Sequence, residues 1–284
     1  MSIPSPAPEL QAAIDRVIED ALAEDVGSGD VTSQAVIPPD LHFHGVMAAR
    51  EAMVVAGLPL VSEVFRRVVP EAKVTLQVSD GEKIEAGAVI ALLDGPAVGL
   101  LTAERTALNL LQHLSGIATL TRRYADAIAE SKAVLLDTRK TIPGLRQLAK
   151  YAAKLGGARN HRMGLYDGVL IKDNHIAVCG SVGDAVRRAK AHTDLPVEVE
   201  CDLIAQVVEA VEAGADIILL DNMTPTLLRE AVALIGGRAK TEASGGVTLE
   251  TIAEIAATGV DFVSVGRLTQ SAPAVDIGLD WETS

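Results

Sequence analysis

From Lys132 onward the chain repeats one unit. Short strand-like runs, most of them apolar, at 133–136, 168–171, 197–199, 217–220, 240–243 and 262–265 alternate with segments of helical character that begin near Gly144, Ser181, Leu203, Thr224 and Thr248. The runs recur every 20 to 35 residues, which is the rhythm of consecutive right-handed βα units. Six such units make either a doubly wound sheet or an open barrel. Polar residues follow strand after strand through the whole series, so the barrel is preferred. The composition agrees. Of the 284 residues 49% are hydrophobic but only 2% aromatic, so the core must be Ala, Val, Leu and Ile, as buried parallel strands require.

In a barrel, the residues just past the C-terminal ends of the strands converge on one mouth. Here they are Arg139 and Lys140, Lys172 and Asp173, Glu200 and Asp202, Asp221 and Asn222, Ser244-Gly245-Gly246, and Gly266-Arg267. The stretch 137–175 supplies many of them. It holds eight Lys or Arg against three Asp, and 8 − 3 gives +5 inside a chain of formal charge −13. A reversal of that size predicts a site for a small, highly anionic ligand. Arg146, Lys150 and Lys154 recur at helical spacing and read as a solvated helix face. Arg139, Lys140 and Lys172 sit where strands stop and do not fit that reading.

Lys and Arg form charge-assisted bonds to carboxylates and phosphates. Glu200 and Asp221 end neighbouring strands, and such a pair can hold Mg²⁺ or sugar hydroxyls. The glycine turns at 244–246 and at Gly266 expose backbone N–H groups suited to a phosphate. His161, between Arg159 and Arg162, reads as an anion contact, and His175 is ambiguous. Many cations, two acids and no activated Ser or Cys point to transfer of a polyanionic group by positioning and electrostatics, not to covalent catalysis.

The N-terminal part reads as a mixed domain. A helix is predicted over 8–25, a turn cluster over 27–32, strands at 43–50 and 54–56, a helix at 60–69, and strands at 74–78 and within 81–95. Residues 99–129 form a long helical region with Leu101, Leu108, Leu111 and Leu114 on one stripe, Glu104, Arg105 and Asn109 off it, and a possible break at Ser115-Gly116. The expected division is 1–115 for this mixed domain, 116–270 for the barrel, and 271–284 as a C-terminal segment packing back on the first domain. The acidic balance, and the lack of basic runs interleaved with aromatics, argue against a nucleic-acid partner. No run is long enough to span a membrane. Cys179 and Cys201 form no metal-ligand spacing and suggest a reducing, cytoplasmic compartment.

The motifs DTRKT at 137–141, GGARNHRMGLYDGVLIKDNH at 156–175, EVE at 198–200, LLDN at 219–222, EASGG at 242–246 and VGRLTQS at 265–271 together resemble the quinolinate phosphoribosyltransferases. LTAERTALNLLQHLSGIAT at 101–119 and the early GDVTS fit the same pattern, so the resemblance covers nearly the whole chain. It implies an N-terminal α/β sandwich followed by an incomplete, TIM-like α/β barrel, the type II phosphoribosyltransferase fold. It also implies a homodimer, with a hexamer built from it as the alternative. The implied reaction joins quinolinate to phosphoribosyl pyrophosphate with Mg²⁺, giving nicotinate mononucleotide, pyrophosphate and CO2 in NAD biosynthesis. By resemblance, Arg139, His161, Arg162 and Lys172 hold the quinolinate carboxylates, with Arg105 entering from the partner subunit. Lys140 contacts the phosphoribosyl pyrophosphate, and Glu200 and Asp221 bind ribose hydroxyls and Mg²⁺. These three form the catalytic set. Ser244, Gly245, Gly246 and Gly266 cradle the 5′-phosphate, and Thr138 and Val265 complete the substrate-binding set. Arg267 departs from the small or apolar residue expected after the glycine, and either adds a cation near the 5′-phosphate or points away. The alternatives are a molybdenum-transport-associated paralogue with another substrate, which the full set of cations disfavours, and a non-enzymatic binder of phosphorylated ligands.

Overall fold

The computed structural model describes residues 7–281. They form two compact units. One gathers the residues up to Arg122, Thr141–Gly156 and the residues from Ser271; the other holds Arg123–Lys140 and Gly157–Gln270.

The first unit opens with α1 (Pro8–Asp25), whose proline sits in the first turn, where no intrahelical N–H is lost. Its buried Ala13, Ile14, Val17 and Ile18 repeat at helical spacing. The predicted turn cluster is only half a turn. Asp30 accepts the Ser33 N–H at 2.9 Å and so caps a short helix α2 (Val31–Val36). There follow β1 (His42–Ala49), β2 (Met53–Val54), α3 (Leu58–Val68), β3 (Lys73–Leu76), β4 (Lys83–Ile84) and β5 (Val89–Pro96). Strand β1 alternates buried Phe43 and Met47 with exposed neighbours, so one face of its sheet is core. The antiparallel sheet is completed by a strand from the far end of the chain. Ile277–Trp281 pairs with the open edge of β1, in register from Gly45–Trp281 to Ala49–Ile277.

Helix α4 (Ala97–Ala127) is continuous, and Ser115-Gly116 does not break it. Those two residues serve contacts instead. The Ser115 hydroxyl accepts the Ala56 N–H at 3.0 Å and donates to the Ala56 carbonyl at 3.3 Å. At Gly116 the segment after the barrel lies on the helix, and an added Cβ would stand 2.1 Å from the Pro273 carbonyl oxygen. Gln112 continues that seam. It donates from its side chain to Ile277 O at 2.9 Å and accepts the Val275 N–H on its carbonyl at 3.2 Å. Gly116→Val should therefore cost about 3 kcal/mol or more, because backbone rather than a flexible side chain must give way. Thermal unfolding tests this, and an unchanged midpoint would mean that the segment does not lie on α4.

The division into units differs from the expected boundary at 115/116. It falls after Arg122, because α4 runs unbroken past that point, and it places α5 (Arg146–Gly156) with the first unit. There the Tyr151 hydroxyl donates to Asp80 at 2.5 Å, and Asp80 also accepts the N–H groups of Gly57 and Leu58 where α3 begins. The expected solvated face of α5 is also incomplete. Lys154 is exposed, but Lys150 is buried among the inward residues Ala149 and Ala153.

The second unit is the six-stranded parallel sheet: β6 (Val134–Leu136), β7 (Val169–Ile171), β8 (Val197–Cys201), β9 (Ile217–Asp221), β10 (Lys240–Ser244) and β11 (Phe262–Ser264). Its order is β6-β11-β10-β9-β8-β7. Every strand from β7 on lies beside its successor, while β6 pairs with the last strand. This is a barrel left open between β6 and β7. A stub lies at the free side of β6, where Arg159 makes a parallel bridge to Leu136 and donates its N–H to Leu135 O at 2.9 Å. Helices α6 (Asp173–Cys179), α7 (Val182–His192), α8 (Ile204–Glu212), α9 (Pro225–Ile235), α10 (Ile252–Ala256) and α11 (Arg267–Gln270) complete the units. Ser181 and Thr224 cap α7 and α9 through their side chains, as the starts read from the sequence require. Helix α10 begins later than Thr248, after a turn closed by Thr248 and Thr251.

Candidate active site

Strand periodicity stacks the interior of the barrel in two layers. Side chains two residues apart on a strand face the same way. Lys172, Glu200, Asp221 and Ser244 therefore form an upper ring, and Leu170, Glu198, Leu219 and Glu242 lie one step deeper. A cavity of about 680 Å³ opens above them. Besides that ring it is lined by Thr138, Arg139 and Lys140 after β6, by His161 and Arg162, by Gly245 and Gly246 after β10, and by Val265, Gly266 and Arg267 after β11. The residues assigned to the substrates thus meet in one cavity except Arg105, which lies exposed on α4 in the other unit; Asp173 and Asp202, expected at the mouth, do not line it.

Buried Asp137 organises the cationic loops. It accepts the Asn160 amide at 2.6 Å and the His161 N–H at 2.8 Å, which ties the NHR segment to the end of β6. The Thr138 hydroxyl accepts the Lys140 N–H at 3.0 Å, and Thr269 donates to the Lys140 carbonyl at 2.8 Å. Arg162 is held by a bond from Nη1 to Gly168 O at 3.2 Å. Burial, and then the neighbouring Arg139, lower its pKa; Glu198 and Asp167 act the other way. Guanidinium groups close enough to disfavour each other's charge are stabilised by an anion placed between them.

His161 lies at the floor and is not an open anion contact. Its Nε2 is 3.1 Å from Glu198 and 3.5 Å from Glu242. Its Nδ1 accepts the Arg162 N–H at 2.8 Å. Burial alone would lower the imidazole pKa, but the two carboxylates outweigh it and raise it to about 10. The Arg162 N–H opposes a proton on Nδ1, because it points at that lone pair and a backbone group cannot rotate away. An Nε2 hydrogen faces the two carboxylates, and burial also pushes the Glu198 carboxyl up. The same bond argues against a cation at this cluster. The three ligand atoms lie within 4.8 Å of one another. A metal would need the Nε2 lone pair, and hence a hydrogen on Nδ1, where the Arg162 N–H already points.

On the upper ring the Lys172 ammonium is bonded to Glu200. Asp221 is raised first by burial and then by the nearby charges of Glu200 and Asp202. Mutual repulsion of this kind is what a bound divalent cation relieves, so the donor set fits Mg²⁺. Asp221 also accepts from the Asn222 amide at 2.5 Å, while the Asn222 N–H donates to Ser244 O at 2.9 Å. His175 has a structural part: it accepts the Lys172 N–H at 2.9 Å and closes the first turn of α6. Cys201 is buried at the end of β8 with its thiol pushed up to about 12 by burial, so it is no nucleophile.

Comparison with known proteins follows the same plan. Residues 117–280 match the quinolinate phosphoribosyl transferase C-terminal domain, and residues 30–115 match the N-terminal domain. The chain belongs to the quinolinate phosphoribosyltransferase family. It is 46% identical over 279 residues to the nicotinate-nucleotide pyrophosphorylase [carboxylating] of Mycobacterium leprae (strain TN), covering 96% of this chain and 98% of that protein. It is 44% identical over 288 residues to the mitochondrial quinolinate phosphoribosyltransferase [decarboxylating] 2a of Nicotiana tabacum, covering 94% and 82%. The solved nicotinate-nucleotide pyrophosphorylase of Francisella tularensis superposes with a TM-score of 0.92 at 39% identity, covering 99% of this chain and 98% of that one.

Within this family member, sequence reasoning passed over Glu198 and Glu242. It stopped at the strand ends, and these residues sit one layer below. The signal was present in the two-residue alternation of Glu198 with Glu200 and of Glu242 with Ser244. Asn222 is among the residues expected at the mouth, but its bond to Asp221 depends on backbone geometry that no motif displays.

Proposed function

We propose that this chain transfers the phosphoribosyl group of phosphoribosyl pyrophosphate to quinolinate and decarboxylates the product to nicotinate mononucleotide. The observation that carries this reading is the division of one cavity into three chemistries. A cluster of Arg139, Arg162 and Lys172 suits two adjacent carboxylates. Glu200 and Asp221 suit ribose hydroxyls. The turns at Ser244–Gly246 and Gly266 suit a phosphate.

In this reading Arg139, Arg162 and Lys172 hold the dicarboxylate so that its ring nitrogen faces the ribose C1, with His161 and its two glutamates fixing Arg162 from below. Thr138 and Val265 border the same space. The ring nitrogen donates its electron pair to C1 as the C1–O bond to pyrophosphate breaks, and Lys140 stabilises the departing oxygen. Glu200 and Asp221 would hold Mg²⁺, which would supply further charge neutralisation of the pyrophosphate. The new pyridinium then accepts the electron pair of the 2-carboxylate bond as CO2 leaves, and C2 takes up a proton. Arg267 adds a cation to the phosphate end. Arg105 of the partner subunit completes the dicarboxylate pocket in a homodimer, which can assemble further into a hexamer. The two free cysteines fit a cytoplasmic enzyme. Among the described residues no helix is long and apolar enough to cross a membrane.

The test is release of pyrophosphate and CO2 in equal amounts on mixing the protein with quinolinate, phosphoribosyl pyrophosphate and Mg²⁺. Absence of both from folded protein would refute the reading. Nicotinate should serve at least about a hundredfold less efficiently than quinolinate, because a monocarboxylate leaves shielded cations without partners. Equal kcat/KM for the two acids would contradict the assignment of the cation cluster.

A further inference from the structure

The end of β7 and the end of β8 lie side by side, since Ile171 pairs with Val199, and one residue further on Lys172 meets Glu200. The contact joins two residues that the proposed reaction assigns to different substrates: the lysine to the dicarboxylate and the glutamate to the ribose. Glu200 is the more enclosed partner, with its side chain 12% exposed against 47% for Lys172. An enclosed carboxylate is costly without a counter-charge or donor. Until the ribose and its Mg²⁺ reach Glu200, Lys172 cannot turn to a ligand carboxylate without leaving Glu200 uncompensated, and Glu200 cannot turn to ribose hydroxyls without freeing Lys172.

We propose that the Lys172–Glu200 ion pair is a latch between the two half-sites, which either substrate must open and which, once opened by one, favours the other. This deepens the proposed function and rests on its assignment of Lys172 and Glu200. Whichever ligand binds first bears the loss of the ion pair, and the second finds its residue already free. Coupling of this kind is positive and reciprocal. Its sign is diagnostic, because both ligands are anions. With no latch, two anions in one cavity repel, and each weakens the other.

Phthalate is a suitable probe. It keeps two adjacent carboxylates but has no ring nitrogen, so it cannot accept the phosphoribosyl group. Calorimetric titration of the wild-type enzyme with phthalate, in constant Mg²⁺, should give roughly fivefold tighter binding when phosphoribosyl pyrophosphate is present. Glu200→Gln should bind phthalate alone about fivefold more tightly than wild type and show no further gain with phosphoribosyl pyrophosphate. Asp221→Asn removes an equal charge from the same mouth without touching the latch, so it should change phthalate binding much less. Weaker phthalate binding in the presence of phosphoribosyl pyrophosphate would overturn the latch, and this arm needs no variant. So would equal gains from Glu200→Gln and Asp221→Asn, since general electrostatics would then suffice. Failure of the underlying site assignment looks different: Lys172→Met would bind phthalate as well as wild type does, and the latch would fall with it.

Discussion

Gly245→Ala should lower kcat/KM for phosphoribosyl pyrophosphate by about a hundredfold or more, while the protein still folds. Gly245 has φ +90°, and a Cβ there would stand 2.2 Å from the Asn222 side-chain oxygen and 2.8 Å from the Asn222 backbone nitrogen. Asn222 cannot yield cheaply. Among the described residues it is the only one other than glycine with positive φ, and its N–H is bonded to Ser244 O. Its amide also donates to Asp221, so displacing Asn222 moves the carboxylate assigned to the ribose. Misplacement of a positioned group by about 1 Å is enough for a loss of this size. Phthalate binding should stay within about threefold of wild type, because the cation cluster lies on other loops. A normal KM and kcat for phosphoribosyl pyrophosphate would show that the turn after β10 has no part in binding it.

Arg105→Ala and Lys172→Ala should each be nearly inactive alone, and the two variants co-expressed should recover roughly a quarter of wild-type activity. The figure follows from two-fold symmetry. If each site takes Arg105 from one chain and Lys172 from the other, a mixed dimer has one site with both defects and one with neither, and random pairing makes half the dimers mixed. Arg105 is exposed on α4, off the buried stripe of Leu108, Leu111 and Leu114, so its own packing gives it no task. Verified mixed dimers without activity would place Arg105 outside the partner's site.

The strands and the mouth of the barrel were legible because each rests on a local signal. The six strand-like runs fall on β6 to β11, and the polar or glycine residue after each run lies within two residues of the strand's C-terminal end. Helices α7 and α9 begin where Ser181 and Thr224 supply a side-chain cap. What was not legible depends on distant partners. Ser115-Gly116 reads as a break on propensity alone, yet Ser115 bonds to Ala56, and Gly116 makes room for the Pro273 backbone. Lys150 keeps step with Arg146 and Lys154, but a spacing rule cannot tell which side of a helix will be buried. His161 read as an anion contact because its chain neighbours are arginines, whereas Glu198 and Glu242 reach it from two other strands.

The strand Ile277–Trp281 follows the entire barrel in sequence but pairs with β1 near the start of the chain. During synthesis on a ribosome the free edge of β1 must therefore wait until all the βα units have been made. An unpaired strand edge is a template for intermolecular pairing. The helix α5, inserted in the first unit but encoded within the barrel, adds a second dependence of the same kind. Neither unit is a continuous stretch of sequence, so neither can finish folding as it emerges. Such a chain is expected to need a holding chaperone at its N-terminal sheet, and to aggregate when translation stops short of the last strand.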